Sequence, residues 1–144
     1  MPYKTLFISL LISSSLSATT LTLDNKLLNG NWHLRVMDGM EVRKARAIVE
    51  FSTKQMRIQG FDSCNRIGGV LQTTSKYSAN IPMIRSTRMA CRTKMQNWVS
   101  KQLHEAFNEG FYITKEKKYG VLGVTLKSPS HELFFRKMGK RVKN

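Results

Sequence analysis

Only one stretch of this chain repeats its apolar residues at helical spacing. Met95, Trp98, Val99, Leu103, Ala106 and Phe107 fall on one stripe of a helix expected over about residues 90–108. Lys94, Asn97, Lys101, Gln102 and Glu105 lie largely off that stripe, and Asn108-Glu109-Gly110 supplies a stop. A stripe of this kind can be a cofactor box or a partner face, and core is the first expectation. Elsewhere short runs of strand-forming residues are cut by turn residues. Trp32, Leu34 and Val36 alternate with polar neighbours, and Asp38-Gly39 is a turn. Ala47 to Phe51 and Met56 to Gln59 form a hairpin about Ser52 to Gln55. Val70 to Gln72 and Tyr77 to Ile81 are strands on either side of a turn at Thr73 to Ser75. Met83, Ile84 and Met89 are expected to pack inside the connection to the helix. After the helix, strands are expected at Phe111 to Thr114, Val121 to Leu126 and Leu133 to Phe135. A charged turn from Lys115 to Gly120 and a break at Ser128-Pro129-Ser130 separate them. Strands, one helix and strands again predict an α+β fold with an antiparallel sheet.

The N-terminus points to export. Lys4, the apolar run from Leu6 to Ile12 and the small residues from Ser13 to Ala18 have the layout of a secretory signal peptide. That run is too short to span a bilayer as a helix. Cleavage is expected after Ala18 or Ser17. No cysteine lies near it, so no lipid anchor and no transmembrane anchor are expected on the mature chain. The expected layout is a signal over 1–18, a linker over 19–26, one domain over 27–138 and a basic tail over 139–144.

The chain has two cysteines, Cys64 and Cys91. In an exported protein a disulfide is the first expectation. It would close a loop of about 26 residues and stabilise by about 3–4 kcal/mol. A redox thiol pair and two buried free thiols are the alternatives. Cys64 sits in Gly60-Phe61-Asp62-Ser63-Cys64-Asn65-Arg66-Ile67-Gly68-Gly69. There Gly60, Gly68 and Gly69 permit positive φ or close backbone approach. Asp62, Ser63 and Asn65 offer local hydrogen bonds to an irregular turn. The segment is either a structural corner or a ligand-binding loop. Cys91 ends Ser86-Thr87-Arg88-Met89-Ala90-Cys91, at the mouth of the helix. Arg88 is expected either to donate to carbonyls of the Cys64 loop or to bind an anion near the helix N-terminus.

These two segments, with Leu28, Gly30 and Trp32 of the domain's opening, resemble the signature of the META-domain family, the HslJ-like heat-shock proteins of bacterial envelopes. The resemblance covers about residues 27 to 138. It implies a curved antiparallel sheet, partly closed into a barrel and packed on a single helix. It also implies a link to envelope stress or antibiotic tolerance, and no defined catalytic activity.

The formal net charge of +15 argues for polyanionic partners. Basic residues cluster at Arg43-Lys44-Arg46, at Arg85 to Lys94, at Lys115 to Lys118 and from Arg136 onward. Export makes nucleic acid an unexpected partner. An envelope protein, or an anionic surface such as lipopolysaccharide, fits better. No catalytic motif is present, and the nine acids are scattered. His33, His104 and His131 show no metal-ligand spacing with the cysteines and are expected to be surface or packing residues. The chain is therefore expected to be a monomeric, non-enzymatic periplasmic or secreted protein without cofactor or metal. The alternatives are a secreted basic effector or adhesion factor, and an enzyme with its site in the Cys64 loop.

Overall fold

Trp32 fixes the start of the sheet. Its ring is buried and its Nε1–H donates to the Leu28 carbonyl at 2.7 Å, so the preceding turn is locked to the first strand. The computed structural model describes residues 23–139. The expected signal segment lies outside the described residues, as do 19–22 of the expected linker and 140–144 of the tail. The remainder of that linker is part of the domain. Leu23 is buried, and Asp24 caps the one-turn helix α1 (Asn25–Leu28) by accepting from the Lys26 N–H at 3.0 Å.

Strand β1 (Gly30–Met37) buries Trp32, Leu34 and Met37. The alternation slips because β1 has a bulge between Leu34 and Val36, which turns Met37 inward in place of Val36. Asp38 and Gly39 both take positive φ, the conformation of a tight hairpin turn, and β2 (Met40–Glu41) pairs back on β1. A 3-10 turn, η1 (Arg43–Ala45), leads into β3 (Ile48–Ser52). Then come β4 (Arg57–Phe61), β5 (Arg66–Val70), β6 (Gln72–Ser75), β7 (Ser78–Asn80) and β8 (Ile84–Ser86). The main helix α2 (Lys94–Glu109) follows, and β9 (Phe111–Lys118), β10 (Val121–Lys127) and β11 (Glu132–Lys137) complete the fold.

All strands join one antiparallel sheet, in the order β6-β7-β9-β10-β11-β1-β3-β4-β5-β8 with β2 beside β1. Only Leu71 separates β5 from β6, yet the two lie near opposite ends of that order. The sheet must therefore curl until its ends approach, which makes the curved, partly closed α+β architecture. Leu71 is buried at this corner, with its N–H on the Met56 carbonyl at 2.9 Å. Helix α2 fills the concave side with Val99, Leu103, Ala106 and Phe107. The Phe107 ring stacks edge-on against Phe51 at 6.0 Å and lies 5.6 Å from Phe111.

Several boundaries differ from the sequence-based expectation. Helix α2 begins at Lys94 rather than near residue 90, because Thr93 and Gln96 form a reciprocal capping box. The Thr73 to Ser75 segment is strand, and the turn falls after it. Residues 115–118 continue β9, since Glu116 and Lys118 pair across to β10 and β11. Met83 is 82% exposed and Met89 is also exposed, while Ile84 packs on the core. Both methionines lie along the chain's path past the sheet edge, where only β5 covers β8.

The glycines of the Cys64 segment divide into two kinds. A Cβ on Gly60 would stand 2.2 Å from the Ile48 carbonyl oxygen and 2.9 Å from Val49 Cα. A Cβ on Gly69 would stand 2.9 Å from Ile81 Cγ2 and 3.0 Å from the Met83 carbonyl. Gly68 would meet only the Ile58 carbonyl at 3.7 Å, so close approach is not what places a glycine there. Gly60→Ala should cost about 2–3 kcal/mol in urea unfolding, because rigid backbone blocks the methyl. Gly68→Ala should change stability by less than about 0.5–1 kcal/mol.

Candidate functional site

The Cys64 segment is a four-residue corner between β4 and β5, and its centre is a carboxylate. Asp62 is fully buried. Its Oδ1 accepts the backbone N–H groups of Cys64 at 2.9 Å and Asn65 at 2.7 Å, an Asx turn that shapes the corner. Its Oδ2 accepts the Ser100 hydroxyl at 2.8 Å and Nε2–H of His104, both from α2. Burial alone would raise the Asp62 pKa. The hydrogen bonds from His104, Asn65, Cys64 and Ser100 outweigh it and hold the carboxyl below its ordinary value. The charged form is therefore the structural form.

Ser100 and His104 lie at i and i+4, one above the other on the buried edge of α2. Both donate to the same carboxylate oxygen. The hydroxyl proton thus points at Asp62 and not at the imidazole, unlike a nucleophile–base relay. The set binds helix to corner.

Asn65 ties the corner to the second signature segment. Its Oδ1 accepts the Met89 N–H and the Thr87 hydroxyl. Thr87 returns the contact by donating its N–H to the Arg66 carbonyl at 3.1 Å and accepting the Arg66 N–H at 3.0 Å. Cys64 and Cys91 are joined by a disulfide, with their Cα atoms 4.9 Å apart. Corner, strand β8 and helix entrance are therefore locked by one covalent and several polar links.

Arg88 does not play the structural part expected of it. It is exposed and makes none of the hydrogen bonds or ion pairs found among the described residues. Backbone N–H groups of Asp62 and Thr87 fill two of the carbonyls it was expected to meet, those of Asn65 and Arg66. Gly60 sits at the end of β4 and Gly68 within β5, so both flank the corner rather than form it. Ser63 occupies the corner's tip at φ 90°, with its hydroxyl buried and unpartnered. Outside the corner, an open groove of about 760 Å³ runs past Gly60, Phe61, Arg66, Ile67 and Met89. Asp62 does not reach it.

Ser100 and His104 were not singled out in the sequence as site residues. The signal available was a serine and a histidine beside the apolar stripe, one turn apart, in a chain whose predicted corner holds an acid.

Asp62→Asn should lower stability by about 2–3 kcal/mol, since hydrogen bonds to a charged acceptor are lost from a buried site. The stabilisation from Asp62 is present above its unfolded pKa of about 3.9 and is lost as pH falls through the lower folded value. Acid unfolding monitored by circular dichroism should show this loss in the wild type, and a flatter acid limb in the variant. Cys91→Ser should lower the melting temperature under oxidising conditions by roughly 10 °C, the equivalent of about 3 kcal/mol in a domain of this size. Calorimetry with and without reductant checks this.

The family model described as the META domain matches residues 16–138. No curated protein matches the chain. Two solved structures are similar in fold. A protein from Burkholderia xenovorans, solved by NMR, is 19% identical with a TM-score of 0.60, covering 89% of this chain and 97% of its own. Another protein solved by NMR is 22% identical with a TM-score of 0.62, covering 78% of this chain and 92% of its own. At these identities the likeness is one of fold alone. The family match spans almost every described residue, and the curled sheet on one main helix agrees with it, so this chain belongs to the META domain family.

Proposed function

We propose that this chain is a non-enzymatic, exported META-domain protein that acts as a monomer at the cell envelope by binding an anionic surface, lipopolysaccharide being the leading candidate. Convergence of charge carries this reading. Arg43 and Lys44 lie in η1 and Arg46 follows it as its C-cap, while His33 and Arg35 lie on β1. Arg136 on β11 stands directly across from His33. Two basic clusters far apart in sequence thus meet on one face. The crowding is felt by the groups themselves. Burial, then the charge of Arg35, and further the charges of Arg43 and Arg46, push His33 below its ordinary pKa. Burial, then Arg43 and Arg136, push the Arg35 guanidinium below its ordinary value, and its Nε is buried without a partner. A shallow concavity of about 450 Å³ opens between His33, Glu41, Arg43, Lys44 and Arg46. Phosphate or carboxylate groups placed there relieve the repulsion and gain charge-assisted hydrogen bonds.

The Cys64–Cys91 bridge supports an oxidising compartment and so favours export. A role in envelope stress or antibiotic tolerance rests on the family resemblance.

Co-sedimentation with lipopolysaccharide and with anionic vesicles tests the reading at low and physiological salt. Binding should persist at physiological salt. Replacing Arg43, Arg46 and Arg136 together with glutamine should weaken it at least about tenfold, at about 1 kcal/mol per basic residue near an anionic surface. Binding that vanishes at physiological salt, or that ignores the triple substitution, overturns it.

A further inference from the structure

The C-terminal end of α2 carries acids where a helix least tolerates them. Glu105 and Glu109 stand one turn apart, and the last turn holds no basic residue. The C-terminus is the negative end of the helix dipole, and like charges at this spacing repel. The chain has 24 lysines and arginines, yet no ion pair among the described residues brings one to either glutamate.

His131 faces them instead. Its side chain is only 8% exposed. Its Nδ1 meets Asp38 Oδ2 at 2.7 Å, and Asp38 Oδ1 accepts the Glu132 N–H at 2.8 Å. The Asp38 carboxylate accepts from Nδ1–H, which leaves Nε2 as the ring nitrogen open to a second occupant, a metal ion or a proton. That Nε2 is buried, has no hydrogen-bond partner and lies 3.4 Å from Glu105 Oε2. One ligand atom from each of Glu105, Glu109 and His131 falls within 4.8 Å of the others.

We propose that Glu105, Glu109 and His131 form a binding site for a divalent transition-metal ion of the zinc type, with Asp38 orienting the imidazole from behind. One imidazole nitrogen with two carboxylate oxygens suits a borderline ion. A carboxylate on the far nitrogen is how metal-binding histidines are commonly held. Metal–ligand bonds of about 2.1 Å in a tetrahedron place donor atoms about 3.4 Å apart, the separation found between Nε2 and Oε2. Glu109 is exposed, and one of its carboxylate oxygens lies within 4.8 Å of the other two ligand atoms. Its carboxylate now accepts the Ser130 N–H at 3.2 Å. An open groove of about 440 Å³ lies on the outer side of Glu109, beside Ser128 and Pro129. Once bound, it neutralises both glutamates and ties α2 to the β1–β2 and β10–β11 turns.

A proton is the competing occupant. Burial disfavours a charged His131, but Asp38 and then Glu105 outweigh it and raise the ring's pKa.

Titration calorimetry with zinc chloride on the full-length chain at neutral pH tests the site, with the His131 ring signals followed by NMR. One ion per chain should bind and shift those signals. Glu109→Gln, at an exposed position, should weaken binding at least about tenfold, and Asp38→Asn should weaken it by about tenfold through the orienting contact. Glu50→Gln, a carboxylate on β3 away from the site, should bind as the wild type does. Unmoved His131 signals, or unchanged affinity in a Glu105→Gln/Glu109→Gln variant, would overturn the proposal and leave His131 as a proton-bound bridge.

Discussion

The buried Asp62 carboxylate is the contact on which the rest depends. An ionised group at full burial is tolerable only when its lone pairs are filled. Here four donors fill them, and they come from two places: the corner's own backbone, and helix α2. One side chain therefore sets the shape of the β4–β5 corner and the position of the helix on the sheet. The disulfide and Asn65 attach the third element, the β8 strand and helix entrance, to the same point. The apolar core supplies most of the burial, with Val99, Leu103, Ala106 and Phe107 of the helix packed into it. The polar cluster selects one docking position, the kind of specificity that buried polar networks provide.

Charge is distributed unevenly over this frame. Basic groups from β1, η1 and β11 meet on one face, where like charges and burial disturb both His33 and Arg35. Three of the nine acids, Asp38, Glu105 and Glu109, gather around His131 at a different place. The sequence order conceals both gatherings. Arg43 and Arg136 both act on Arg35, Arg136 because β1 pairs with β11. Asp38 and His131 meet because the β1–β2 and β10–β11 turns lie side by side.

Much of the fold was legible in the chain. The stripe from Trp98 to Phe107 placed the main helix, although Met95 at its start is exposed; the Asp38-Gly39 turn fell where expected, and the cysteine pair was bridged. The resemblance carried by Gly60 to Gly69 and Ser86 to Cys91 implied the curved sheet. What was not legible depended on partners distant in sequence. Ser100 and His104 read as ordinary helix residues until Asp62, far earlier in the chain, is brought beneath them. Arg88 looked like the donor that would pin the corner, but the backbone of its neighbours does that work. Met83 and Met89 have core-like side chains, and only the position of β8 at the sheet edge explains their exposure. The bulge in β1 likewise left no mark in a clean alternation.

The strand order has a consequence for the order of events. The first long strand, β1, lies between β3 and the last strand, β11. While the chain is being made, one edge of β1 has no partner until synthesis is almost finished. Strands β3, β4, β5 and β8 pair with near neighbours and close early, with both cysteines in that half of the chain. Such non-local closure is slow compared with local hairpins. An incomplete chain exposes a strand edge that invites wrong pairing. A molecule built this way closes its sheet only when the whole chain is present, and its covalent lock lies in the half that can pair without the last strand.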